Sequence, residues 1–382
     1  MIESTPNIIK KEHNAPAFHY LFFNSDSVLI DISQGYQNVE NKLEVDDRTS
    51  FHAFSVTKTF TAVAVMQLVE EGKIKLDAPI IKHLPSYNFS KPVTIRDLLC
   101  HQSGIANPLP LKWTHLADEH ASFDYSKFSD TIILNHLELK RPPGTKYAYS
   151  NINYLVLGKL IEEISGKEYQ TYISENIINI LPTKEYMGFD IPESNHANGY
   201  HANTWVQNLV LGFLLDKSKM IYRADEDWNG FKPFYNNGAP YGGIISTPTA
   251  LKVYCQELLK NNGMLLPKTS VDKMLTEQPT KKGSKTAMSL GWFKGKLDEN
   301  DYYCHAGGGG GYYSEIRLYP ALGYGSVIML NSSGMKDDRI LDYLDVEQLK
   351  KLMPTTPISN SALRDATAHS QTVWHKKIWK KL

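Results

Sequence analysis

Ser55 and Lys58 stand three residues apart in the stretch "FHAFSVTKTFTAVAVMQLVEEG", Phe51 to Gly72. A serine hydroxyl attacks a carbonyl only when a neighbouring group takes its proton. A lysine three positions on lies on the same helical face, and it becomes a usable base when burial strips water from its ammonium and lowers its pKa. The stretch supplies that burial. Thr59 to Val69 holds no charged residue, and Phe60, Val63, Val65, Met66, Leu68 and Val69 surround the helical wheel, which marks a helix buried on every side. Glu70, Glu71 and Gly72 end it, so the run is too short to cross a bilayer. The start of a helix also favours developing negative charge. An S-x-x-K pattern alone is common by chance, and its place at the mouth of a buried helix is what gives it chemical weight.

Two further stretches carry groups that such a serine needs. In "PPGTKYAYSNINYLVLGKLIEEISG" the residues Tyr149, Ser150 and Asn151 open a helix. A tyrosine near a lysine is expected to be readily deprotonated, so that it accepts the serine proton and passes it to the leaving group. The Asn151 amide could hold the lysine or orient a substrate carbonyl. Read singly, the tyrosine is a packed aromatic and the asparagine a helix cap. In "CHAGGGGGYYSEIRLYP" five glycines, Gly307 to Gly311, run into a strand. That choice costs entropy unless backbone must come close to something. A strand edge offering N–H groups beside the Ser55 N–H would form an oxyanion hole. His305 could donate a hydrogen bond, tune the Tyr149 proton, or serve as an ordinary strand residue.

The elements that must position these groups follow from periodicity. Residues 18–40 read as two β-rich runs around Asn24-Ser25-Asp26-Ser27, a hairpin signal. "YYSEIRLYPALGYGSVIMLNSSG" predicts strands at Tyr312–Tyr319 and Gly325–Leu330, with a turn between. The middle reads mostly helical: Thr94-Ile95-Arg96-Asp97 has the capping-box pattern, and Ser150 precedes a helical run ending at Gly166. Strands at both ends with helices between predict an α+β fold, one antiparallel sheet closed by both ends of the chain. The division expected is a sheet domain from 1–78 plus 238–335, a helical insertion over 79–237, and a tail over 336–382. Residues 222–243 are loop-like and rich in aromatics, either a surface loop or an apolar wall for a ligand.

Composition narrows the partners. With 42% hydrophobic and 21% charged residues the chain is of ordinary globular type, and 41 basic against 41 acidic residues give a formal net charge of zero. No global field recruits nucleic acid, and a small neutral partner is expected. Cys100, Cys255 and Cys304 are far apart and form no C-x-x-C pair, so they read as buried free thiols. The first residues show no cationic start with an apolar stretch and cleavage site, and a cytoplasmic location is expected. In "SQTVWHKKIWKKL" Trp374, Ile378 and Leu382 recur every four residues among lysines. This tail could make weak contact with an anionic membrane surface or dock on the protein's own body.

Ser55-Val56-Thr57-Lys58, then Tyr149-Ser150-Asn151, then His305-Ala306-Gly307 resemble, in order and spacing, the three motifs of the serine β-lactamase and penicillin-binding-protein superfamily. The branch looks like the class C-like esterases and D-amino-acid peptidases. "VTIRDLLCHQSGI" and "GGIISTPTALKVY" support the likeness, which covers about residues 20–332. It implies a mixed antiparallel sheet flanked by helices, an all-helical region beside it, and a site in the cleft between. It implies Ser55 as nucleophile, Lys58 and Tyr149 as the base pair, Asn151 as a positioning residue, and the Ser55 and Gly308 amides as oxyanion hole, with the Gly308 register open by one. No metal or organic cofactor is implied. One departure matters: β-lactamases of this superfamily usually carry lysine where His305 stands, so the site lacks a permanently charged anchor for an antibiotic's carboxylate.

The reading is therefore a serine hydrolase acting through an acyl-enzyme on a small carboxylic ester. Its apolar part would face Trp228, Phe231, Phe234, Tyr235 and Tyr241. A D-amino-acid peptidase or amidase, a weak β-lactamase, and acyl transfer to another acceptor are the alternatives of the same chemistry. A catalytically silent binder would be marked by loss of Ser55, Lys58 or Tyr149, and all three are present.

Overall fold

The structure, a computed structural model, describes residues 15–108, 110, 113–205, 216–260, 262–333 and 340–352. The first predicted hairpin forms as β1 (Ala17–Asn24) and β2 (Val28–Asn38), paired antiparallel. Asn24 closes its turn, Oδ1 accepting the Asp26 and Ser27 backbone N–H groups at 2.9 and 2.8 Å. A short β3 (Leu43–Glu44) extends β2 outward. From the other end of the chain come β4 (Phe293–Leu297), β5 (Asn300–Gly309), β6 (Tyr312–Tyr319) and β7 (Tyr324–Leu330). The seven strands form one antiparallel sheet in the order β4-β5-β6-β7-β1-β2-β3, with Leu21 of β1 opposite Val327 of β7. Both ends of the chain thus close one sheet, as the α+β reading expects.

Four helices frame the site or brace the sheet: α1 (Thr57–Glu70), α2 (Asn151–Ser165), α3 (Pro248–Leu259) and α4 (Ile340–Leu352). Helix α1 is buried on all sides from Thr57 to Met66, and Phe60 stacks on Tyr254 of α3 with ring centroids 3.9 Å apart. Each such apolar side chain, fully removed from water, contributes roughly 1.5–3 kcal/mol. That packing fixes where Lys58 must sit. Gly72, at φ +70°, takes the left-handed turn just beyond the helix, and Gly166, at φ +69°, ends α2.

Two expectations change. The stretch 79–237, expected to be all helical, is built on helices but adds short strands. Thr114–Leu116 pairs with Phe234–Asn236, while Tyr200–Ala202 and Ile221–Arg223 flank Trp228–Phe231. Residues 222–243, read as a loop, contribute strands to these ribbons and end in the short helix Ala239–Gly242. Strands of three or four residues broken by Gly, Pro and Asp leave no alternating run long enough to register as strand. Part of the expected tail is also structure. Helix α4 buries Ile340, Leu341, Leu344 and Leu349, and its Asp342 and Asp345 face inward. Asp342 Oδ1 accepts from Arg317 Nη1 at 2.7 Å, and Asp345 accepts from Tyr20, Tyr319 and Ser326. These ties bind α4 to strands β1, β6 and β7. Residues 371–382, proposed to touch a membrane, lie outside the described residues. Among the described residues no helix is long and apolar enough to cross a membrane.

Candidate active site

Ser55 sits in the single 3₁₀ turn Phe54–Val56 that leads into α1. Its Oγ lies 2.9 Å from Lys58 Nζ and 2.9 Å from the Tyr149 hydroxyl, which donates to it. The three predicted chemical residues therefore converge on one oxygen. Strand β5 runs past the same turn. A Cβ on Gly307 would lie 2.4 Å from the Ala53 carbonyl oxygen and 2.6 Å from Ser55 N. No side chain fits there. Of the five glycines, Gly307, Gly308 and Gly309 are on the strand, whereas Gly310 and Gly311, at φ +50° and +88°, make the turn into β6. Gly307→Ala should push the strand from the Ser55 turn and lower any turnover that depends on Ser55 by about 100-fold, the size expected for a displacement near 1 Å. Steady-state rates beside a circular-dichroism melt check this.

Lys58 is wholly buried. Nζ makes a second hydrogen bond, to the Tyr241 carbonyl at 2.9 Å, and no carboxylate pairs with it among the described residues. Burial pushes its pKa well below the ordinary lysine value. The ring faces of Tyr149, Tyr154 and Tyr241, at 5.0, 5.5 and 5.3 Å, favour the cation and offset part of this. Loss of solvation without a counter-charge is the larger effect, so burial favours the neutral amine. In that form its lone pair can take the Ser55 proton.

Tyr149 corrects an expectation. Burial raises the phenol well above its ordinary pKa, and the hydrogen bond to Ser55 lowers it only in part. A phenolate in an apolar setting loses hydration that a neighbouring neutral amine does not replace. Tyr149 is thus a protonated donor at rest rather than a ready base. His305 is buried, and that burial, more than anything else, lowers its pKa to about 3. Its Nδ1 lies 2.9 Å from the Ala306 carbonyl oxygen. A carbonyl only accepts, so Nδ1 carries the proton of a neutral ring. His305 therefore supplies no cation, and its electrostatic neighbour is Lys58 rather than Tyr149. Asn151 does not hold the lysine. Its backbone N–H donates to Asn107 Oδ1 at 2.9 Å, and its own Oδ1 is buried without a hydrogen-bond partner.

The aromatic wall divides. Tyr241 lies beside Lys58, and Phe234 stacks on His52 at 4.9 Å next to Phe54. Trp228 packs on Tyr200 and Tyr235 on His120. Two features lay outside the sequence reading. The Tyr241 carbonyl that anchors Lys58 is a backbone group, invisible to residue-type arguments. Phe54, directly before the nucleophile, holds φ +45°, and such strain persists only where surrounding contacts over-determine it. Its Cβ lies against the Gly307 backbone and its ring against Gly309.

The family model described as Beta-lactamase matches residues 9–350. The chain belongs to the β-lactamase family. Protein flp of Staphylococcus aureus is 25% identical over 354 residues, 89% of this chain and 64% of flp, so the chain spans just under two thirds of that relative's length. A teichoic acid D-alanine hydrolase of Staphylococcus aureus is 34% identical over 136 residues, 35% of this chain and 32% of the hydrolase. Among solved structures, an octameric penicillin-binding protein homologue from Pyrococcus abyssi superposes with a TM-score of 0.74 at 23% identity, over 100% of this chain and 82% of that one. That likeness carries the fold alone. On this fold Ser55, Lys58 and Tyr149 meet at one oxygen.

Proposed function

We propose that the protein hydrolyses a small carboxylic ester through an acyl-enzyme on Ser55. The observation that carries this reading is the placement of Ser55 Oγ at 2.9 Å from both a buried amine and a protonated phenol. Lys58 takes the serine proton as Oγ bonds to the carbonyl carbon. The Ser55 N–H and, on the β5 edge, the Gly308 N–H are assigned to the resulting oxyanion. As the tetrahedral species collapses, Tyr149 gives its proton to the departing alcohol and regains one from Lys58. Water then enters by the same proton path and releases the acid. His305, neutral where an antibiotic's carboxylate would need a cation, supports an ester over a penicillin or cephalosporin.

A second reading has support of its own. Asn151 Oδ1 is a buried acceptor without a partner, and it suits an N–H or ammonium on the acyl part, as a D-amino-acyl ester or amide would bring. The relative named as a teichoic acid D-alanine hydrolase points the same way. A panel of p-nitrophenyl acetate, a D-alanine p-nitrophenyl ester, D-alanine p-nitroanilide and nitrocefin separates the readings. The simple ester should lead. A lead of about 100-fold or more for either D-alanyl compound would replace the first reading with the second. His305→Lys should raise nitrocefin turnover relative to the ester, and an unchanged ratio would discard the anchor argument.

A further inference from the structure

His101 has no part in the proton path, yet the segment that carries Tyr149 is tied to it on both sides. It follows the short helix Ile95–Leu99 in left-handed backbone, φ +54°. Its carbonyl accepts the Ala148 N–H at 2.8 Å. Its Nδ1 accepts the Ser150 N–H at 3.2 Å and lies 3.2 Å from Asn153 Nδ2. A backbone amide only donates, so Nδ1 keeps its lone pair and the ring proton is on Nε2. Asn153 is fixed in turn, its Oδ1 accepting from Ser103 Oγ at 2.7 Å. Between these ties the wholly buried His101 ring lies against Tyr149, with centroids 4.4 Å apart and planes tilted by 36°.

An ordinary core histidine satisfies both ring nitrogens. Here Nε2 is buried without a hydrogen-bond partner, an arrangement that costs stability. The ring is kept where it touches Tyr149 rather than where its own donor would be served. We propose that His101 is the positioning residue for Tyr149: it clamps residues 148 and 150 and sets the phenol against Ser55. Burial holds its pKa well below the ordinary histidine value. It stays neutral, as the Ser150 tie requires. The kinetic consequence rests on the acyl-enzyme reading, whereas the clamp itself does not.

The test uses the full chain with 3-fluorotyrosine placed at position 149. Glycine and asparagine both tolerate the left-handed backbone, and asparagine keeps an acceptor near the Nδ1 position. The fluorine resonance should be a single line in the wild type and in His101→Asn, and broadened or split in His101→Gly. Turnover of p-nitrophenyl acetate should fall about 100-fold in His101→Gly with KM moved by less than about twofold, and recover to within about tenfold of wild type in His101→Asn. In a Tyr149→Phe background the glycine substitution should cost less than about threefold, since the group it positions is gone. If the fluorine line is unchanged, or kcat falls equally in both backgrounds, the proposal is overturned. A wild type inert toward every ester, with the fluorine line still disturbed by His101→Gly, would uphold the clamp and remove the hydrolase reading. Should the glycine variant not fold, His101→Asn decides alone: a broadened fluorine line, or turnover more than about tenfold below wild type, would overturn the proposal.

Discussion

Ser55→Ala is expected to abolish covalent labelling and to lower ester turnover by about 10⁴- to 10⁶-fold, the loss expected on removal of a serine nucleophile. The wild type should gain the mass of one fluorophosphonate adduct, and the variant none. The size of the effect comes from the geometry. Ser55 Oγ is the atom on which Lys58 and Tyr149 both converge, so its removal takes away the attacking group and disconnects the two proton carriers at once. The fold should survive. The turn is held by other bonds, Val56 N–H to the Ala53 carbonyl at 3.1 Å and Ser314 Oγ to the same carbonyl at 2.6 Å, and Lys58 keeps the Tyr241 carbonyl. A change of less than about 1 kcal/mol in stability is expected for so small a truncation. Equal residual turnover in both proteins would place the nucleophile elsewhere, and equal idleness without an adduct would bring the silent binder forward.

The parts of the site legible in sequence were those with a local signature. Lys58 declared its burial because the charge-free run around it has no polar face, and Ser55 is its neighbour by spacing. The meeting of Tyr149 with Ser55 is another matter. They are 94 positions apart, and no periodicity measures that distance. Only the likeness of three motifs in order implied it. Protonation states were the least legible, because they depend on burial summed over elements. For Lys58 that sum acted as expected. For Tyr149 it reversed the reading, since the burial that makes the amine a base also keeps the phenol protonated.

The fold shows the same division. The hairpin at Asn24–Ser27 and the strands on either side of Pro320–Gly323 were set by turn chemistry and β-rich runs, and they formed within two residues of expectation. Helix α4 was hidden because Asp342 and Asp345, both buried, interrupt its apolar face. Arg317, which answers the first of them from 25 positions away, is itself wholly buried within β6. A buried charge looks like a surface charge until its partner is known. Tyr241 is legible for its ring, whereas it is its carbonyl that accepts a hydrogen bond from Lys58.

Lys58→Met is expected to lower ester turnover by about 10³-fold or more, within the range for loss of a proton-transfer group, and to change how stability depends on pH. In the folded protein burial lowers the Lys58 pKa well below the ordinary lysine value. In the unfolded chain it carries a proton up to about pH 10.4. Between the depressed folded pKa and that value the unfolded state binds more protons, so wild-type stability rises with pH through this window. Methionine binds none in either state. Its variant should therefore hold its greatest advantage over the wild type at the acid end of the window, and that advantage should shrink as pH approaches the unfolded lysine value. The absolute offset is a poorer guide, because the substitution strands the buried Tyr241 carbonyl at a cost of about 1–3 kcal/mol. The slope is free of that offset. Urea unfolding of both proteins at pH 6, 8 and 10 reads it directly. A difference that does not change with pH would mean that Lys58 keeps its proton in the folded state, sustained by the three tyrosine faces. In that event the amine could not receive the Ser55 proton. Tyr149 would then have to be the base, and its buried phenol would make the enzyme inactive until strongly alkaline pH. Activity near neutral pH together with a sloping stability difference would thus be two consequences of one proposed state, Lys58 held neutral by the fold and acting as the base.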